Sequence, residues 1–311
     1  MWVPSCSGLI SSCRLIVLTL DFPNLPLLVF RSTENKVLRG HVTDTECRPD
    51  FTAAFDTHWG DDATTLWPCI RLVGEDASSG KSKRSETMKT ISNLHYLLLA
   101  RPDLHVGQGL IISKMTITFL VGIGGRGIRR FSVAWTDTQL YKLMYAFVYR
   151  LYDSGHFADP SYVAMVPDLK KNVVTYTIRL SEGNLVCSGF SPIYATNPFG
   201  SRTHVLSNPH SDVKVDGKVF TVLKDQLCER DRRFDEYGIL TMNVHSPEKV
   251  PGVVEAVYHE LVEIPVSLRV SRVKHRIGLQ QLGSPIGSIP TIRGMLEVVF
   301  DVLEGKDLDV Y

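Results

Sequence analysis

Two hydrophobic periods alternate along the chain, and the switches between them mark the elements. The apolar runs at 15–20 and 25–30 are separated by Asp21 and Pro23. Each is shorter than the roughly 18–20 residues a membrane span needs. Arg14 is the one basic residue ahead of them, which makes a poorly formed signal peptide. Residues 1–40 are therefore expected to be poorly ordered. Residues 67–73 predict a strand, and "DASSGKSKRSE" at 76–86 predicts a loop. Met88, Ile91, Leu94 and Leu98 recur at helical spacing, and "RPD" at 101–103 ends that helix. Strands follow at 110–112, 116–121 and 131–135. Leu140, Leu143, Phe147 and Leu151 then mark a second helix, with Thr136 and Asp137 as candidate caps. Strand, helix, three strands and helix predict an α+β domain over 41–165.

The chain beyond it reads as β-rich. "VVTYTIRL" and "NLVCSGF" flank Glu182-Gly183, and a strand is expected near 203–206. "VKVDGKVFTVLKD" at 213–225 predicts a hairpin, because a two-residue type I′ turn needs positive φ at both positions and Asp-Gly supplies it. Its second strand, 219–223, runs into Lys224. A helix is expected over 227–244 and a strand over 253–257. Ser288-Ile289-Pro290 opens a final helix whose apolar face is Ile292, Met295, Leu296, Val299 and Val302.

At 311 residues the chain is long enough for two domains. Its 34 basic and 33 acidic side chains leave a net charge of +1. That balance gives no general electrostatic case for nucleic acid or a membrane as partner. The six cysteines form no C-x-x-C pair and sit beside no histidine at zinc spacing. They read as reduced thiols of an intracellular protein, cytoplasmic or nuclear.

The chemistry concentrates after the hairpin. Lys224 on a strand is followed by "FDEYGIL", in which Ile239 and Leu240 stand three and four residues after Glu236. "HSPEKVPGVVEAV" at 245–257 then leads into the next strand. Glu236 and Leu240 share a helix face, so Leu240 can pack inward while Glu236 reaches the sheet. This ordered set resembles the small lobe of a protein kinase.

Together with "CRPDFTAAFDTHW" (47–59), "LHYLLLARPD", "FLVGIGG", "YKLMYAFVYRLYD", "HVLSNP" and "IPTIRGMLEVVFDVLE", it makes residues 45–304 similar to the fungal-type protein kinases. The resemblance implies an N-terminal α+β domain at 41–165 followed by a partial kinase-like domain at 166–311, a β-sheet with its C helix. It implies ATP with Mg as cofactor and a protein substrate or partner. Lys224 would contact the α and β phosphates, Glu236 would hold its ammonium, and "FGSRTHVL" (199–206), with Gly200, would cover the nucleotide.

That loop carries one glycine where the kinase pattern is G-x-G-x-x-G-x-V. Neither H-R-D-x-x-x-x-N nor D-F-G occurs, so the chain is expected to bind ATP without transferring its phosphoryl group. The final helix would then lack a core to bury against, which predicts self-association or a partner. The alternative is a non-catalytic, pseudokinase-like interaction protein.

Three other motifs compete. "GIGGRG" (122–127) matches G-x-G-x-x-G but precedes a strand-like segment, so it reads as a hairpin turn. "RPDF" (48–51) and "RLVGEDASSGK" (71–81) resemble the core of PD-(D/E)xK nucleases, in which an Asp and an E-x-K hold Mg²⁺. Asp50 and Glu75 fill the acidic places, but Ala77 stands where the lysine belongs, which predicts a vestigial fold, with a metal-dependent nuclease centred on Asp50 and Glu75 as the third reading. "RVSRVKHR" (269–276) reads as a solvated basic strand-loop segment.

Overall fold

The structure, a computed structural model, describes residues 26–282 together with Thr291 and Ile292, except 35, 44–46, 61–64, 78–82, 153–154, 156, 182–184, 231–235, 245–253 and 266–270. The chain is mixed α and β, with most of the described elements in two large sheets.

The first sheet holds six strands in sequence order: β1 (Leu28–Ser32), β2 (Phe51–Phe55), β3 (Ile70–Asp76), β4 (Val106–Ile112), β5 (Thr116–Ile123) and β6 (Gly127–Ala134). All neighbours are antiparallel except β3 and β4. A parallel pair needs a crossover, and helix α1 (Lys83–Ala100) provides it. Leu94, Leu97 and Ala100 of α1 bury against Ile70, Val73, Ile111 and Leu120. The other face is covered by α2 (Leu140–Tyr152), whose Phe147, Val148 and Leu151 pack on Leu72, Leu110, Ile112 and Phe119. With a helix on each side, every residue of β4 is buried, which explains its unbroken run VGQGLII. Asp137 accepts the backbone N–H of Gln139 and so helps to open α2. Gly125 and Gly127, at φ +71° and +117°, make the β5–β6 turn at 122–127.

The second sheet holds seven strands in the order β14-β15-β13-β10-β9-β8-β7. They are β7 (Tyr162–Asp168), β8 (Val173–Arg179), β9 (Val186–Ala195), β10 (Thr203–Ser207), β13 (Val222–Glu229), β14 (Ala256–Val262) and β15 (Arg272–Leu279). The small pair β11 (Lys214–Val215) and β12 (Lys218–Val219) lies outside it. One face of the sheet packs around Tyr176, Phe190, Phe220, Leu223 and Tyr258. The other packs Val222, Ile277 and Leu279 against Leu240. Leu240 belongs to α3, a short turn at Glu236–Gly238 continued by the π-helical Ile239–Val244.

The sheet coils until distant strands meet. The Tyr162 hydroxyl donates to Asp225 Oδ2 at 2.9 Å, and the Ser181 N–H donates to Glu260 at 2.9 Å. Inside the coil, Arg276 donates to Asp225 at 2.8 Å, to Glu260 at 2.8 Å and to Asp159 at 3.0 Å. Lys274 adds bonds to Asp159 and Asp225. Burial pushes the Asp225 carboxyl up, but Arg276 and Lys274 outweigh it and hold it down at about 2.

Several expectations change here. Residues 28–32 fall in the segment expected to be poorly ordered, yet they form β1, because Leu28 and Phe30 join the first core. The second sheet begins at Tyr162, slightly before the expected boundary at 166. The Asp216-Gly217 turn forms with φ +50° and +76°, but its second strand ends at Val219. The Thr221 N–H bonds to Leu279 O, so the chain has crossed to the large sheet before β13 starts. Residues 227–229 are strand rather than helix, since Leu227 pairs with Lys274 in the ladder. Lys274 and Arg276, expected in a solvated basic segment, are buried. The final helix and its apolar face lie outside the described residues apart from Thr291 and Ile292. Among the described residues no helix is long and apolar enough to cross a membrane.

Candidate functional site

Lys224 lies in the middle of β13, paired with Val205 of β10 and Ile277 of β15. Its neighbours alternate: Leu223 and Asp225 point into the coil, while Lys224 points to the face that carries α3. Glu236, the first residue of α3, receives a hydrogen bond from Lys224 Nζ. Both side chains are partly exposed because they line a cleft of about 390 Å³. Val205, Val222, Val254 and Leu279 give it apolar walls, and Thr196 and Thr203 add hydroxyls. An ammonium held by one carboxylate over an apolar slot suits a ligand with a flat apolar part and a phosphate tail.

Gly200 is elsewhere. It sits in the β9–β10 turn and is not among the residues that line the cleft, because that turn is held by the N-terminal domain on one side and by β15 on the other. Gly125 N–H donates to Pro198 O at 2.8 Å, the Phe199 ring lies 6.0 Å from His95, and Arg272 donates to Gly200 O. Behind the turn, Arg202 donates to the carbonyls of Leu98 at 2.9 Å, Arg101 at 2.6 Å and Leu104. These are carbonyls at and just beyond the end of α1, where a helix leaves acceptors unfilled. A Cβ at Gly200 would come no closer than 3.7 Å to any neighbour, so the turn makes no steric demand for glycine.

A second cluster lies at one end of the first sheet. Asp50 precedes β2, Glu75 is the penultimate residue of β3, and Glu86 and Lys89 stand on the first turns of α1. Oxygens of the three carboxylates lie within 4.8 Å of one another. Lys89 Nζ sits among them, 2.6 Å from Glu75, 3.6 Å from Asp50 and 3.7 Å from Glu86. Asn93 donates to the other Glu75 oxygen at 2.7 Å, and the Asp76 N–H donates to Asp50 at 2.9 Å. Burial, with Asp50 adding to it, pushes the Glu75 carboxyl up to about 7 against the pull of Lys89. The same carboxylates outweigh the burial of Lys89 and hold its ammonium above its ordinary value. Glu86 is fully buried, and neither of its oxygens accepts a hydrogen bond.

Asp50 and Glu75 were legible as candidates, whereas Glu86, Lys89 and Asn93 were not. The lysine beside these carboxylates is Lys89 of α1, whereas Ala77 stands two residues after Glu75. No sequence signal singles out Glu86, Lys89 or Asn93, because the first half of α1 is polar at most positions, and its start falls in the segment expected to be a loop. No family model matches the chain, and no curated protein or solved structure does.

Proposed function

We propose that the second sheet with α3 is the ATP-binding lobe of a fungal-type protein kinase, with ATP and Mg as its ligand. The observation that carries this reading is the Lys224–Glu236 pair at the mouth of an apolar cleft. A strand lysine held by a helix glutamate is the arrangement that positions ATP phosphates in kinases. Val205, Val222 and Leu279 suit the base. Lys224 would meet the phosphates, and Mg would be held by the phosphate oxygens and water rather than by a carboxylate of the cleft. Among the residues lining the cleft, Glu236 is the one carboxylate, and it already serves Lys224.

A second, non-catalytic reading draws support from Gly200. Its turn is held by Gly125 of the N-terminal domain and by Arg272 of β15, so the backbone that would cover the phosphates is engaged elsewhere. In that case the lobe serves as an interaction module.

ATP binding to the full chain, followed by calorimetry with and without Mg²⁺, tests both. We expect micromolar to millimolar binding that weakens at least about 10-fold in Lys224→Ala, the loss of one charge-assisted bond of about 1.5–3 kcal/mol. Binding unchanged in Lys224→Ala, or none in the wild type, leaves the interaction reading.

A further inference from the structure

We propose that Asp50, Glu75 and Glu86 form a divalent-cation site, and that with Lys89 they make the N-terminal domain a cation-dependent phosphodiester hydrolase acting on nucleic acid. The inference stands apart from the nucleotide reading of the second sheet.

Four observations carry it. The three carboxylates approach closely enough for one oxygen of each to share an ion. An all-oxygen set selects a hard cation such as Mg²⁺ or Mn²⁺. Glu86 is the second, independent pointer. A fully buried carboxylate that accepts no hydrogen bond is costly, and its nearest cation is Lys89 at 3.7 Å. A purely structural role for Glu86 would call for a donor on its oxygens.

Next, Lys89 sits where an incoming ion would bring its charge, yet its side chain is about two-fifths exposed. It has room to swing outward once a metal takes over the carboxylates. Finally, the cluster opens on a cleft of about 640 Å³ whose lining includes Arg48, Ser85, Lys89 and Ser92. Arg48, Lys89 and two hydroxyls beside a cation site suit a phosphate group, with Glu34 the one acid of the lining outside the cation site. An extended phosphodiester fits an open cleft better than a small enclosed ligand does.

The step needs no oxidant or reductant. A cation-bound water, acidified by the metal, releases a proton to solvent. Its oxygen bonds to phosphorus while the ester P–O bond breaks, and the leaving oxygen takes a proton from water. The Lys89 ammonium pairs with the phosphate as negative charge builds on it.

The test uses the full chain. Mn²⁺ binding is measured by calorimetry, and hydrolysis is followed on a duplex oligonucleotide and on bis(4-nitrophenyl) phosphate, the two arms separating a polymer from a small diester. We expect Mn²⁺ to bind the wild type and to be lost in Glu75→Gln and in Asp50→Asn, the second lying at the rim where folding is least at stake. Lys89→Ala should hold Mn²⁺ at least as tightly, because the competing ammonium is gone, while oligonucleotide cleavage falls by about 100-fold or more. A Lys89 that served only to neutralise the acids would not separate binding from cleavage. Failure of the wild type to bind Mn²⁺, binding with no oligonucleotide cleavage, or cleavage that survives in both Glu75→Gln and Asp50→Asn overturns the proposal.

Discussion

Arg276 is fully buried and donates to Asp225, Asp159, Glu260 and the Ser161 hydroxyl. Asp225 belongs to β13, Glu260 to β14, and Asp159 and Ser161 to the segment just before β7, so this one guanidinium ties three parts of the coil to β15. Breaking a buried pair from one side leaves uncompensated charge, which costs about 3–5 kcal/mol. Arg276→Met should therefore lower stability by that order in urea unfolding, although the new side chain is of similar length. The acid limit should move as well. Asp225 titrates at about 2 in the folded chain against its ordinary 3.8. A depressed carboxyl contributes stability that is complete above the unfolded value and is lost as pH falls through the folded one. The wild type should thus lose this contribution between pH 3.8 and about 2, and Arg276→Met, in which Lys274 is the cation that remains beside Asp225, should show a smaller phase, read from stability measured across the acid range.

At the level of elements, the pairing of β2 with β3 depends on a glycine. Phe51 stands opposite Gly74 in the ladder, and its ring covers the glycine. A Cβ on Gly74 would fall 2.1 Å from the Phe51 ring, so the ring must leave a fully buried position. Gly74→Ala should cost about 1–3 kcal/mol by overpacking. Adding Phe51→Leu should recover part of the loss if the clash is the cause, and chemical denaturation of the single and double variants reads it. Gly74 also adjoins Glu75, so the same close packing fixes where that carboxylate emerges at the end of β3. The helix on that side behaves alike: Leu94 and Thr90 of α1 come within 3.0–3.2 Å of a Cβ built on Gly109. That close seat of α1 brings Glu86 and Lys89 down to Glu75.

Across the whole molecule, the two sheets are joined through the end of α1. Arg202 gives its guanidinium to three carbonyls there, and His204 lies 3.1 Å from the Leu99 carbonyl. The same junction draws the β9–β10 turn away from the Lys224 cleft. Arg202→Met should remove several charge-assisted bonds at about 1.5–3 kcal/mol each, offset in part by relaxation. The expected outcome is a calorimetric transition that splits in two as the sheets uncouple, with faster proteolysis between 195 and 203. A single transition at the wild-type temperature would show that the junction does not couple them.

Local pattern alone determined much of this protein. The two helices at 83–100 and 140–152 follow from apolar spacing, and the Asp216-Gly217 and 122–127 turns follow from residues that tolerate positive φ. Lys224 and Glu236 were legible as a pair because their order along the chain is itself a motif. Tertiary structure decided the rest, and the reason is burial of charge. Asp225, Lys274 and Arg276 look like solvent residues when each is read alone, and that broke the alternation by which β13 would have been recognised. Their mutual neutralisation exists only when β13 and β15 pair and the segment carrying Asp159, just before β7, closes on them. Likewise, no spacing along the chain relates Asp50 and Glu75 to Lys89, since the ammonium reaches its carboxylates only once the α1 crossover packs on the sheet.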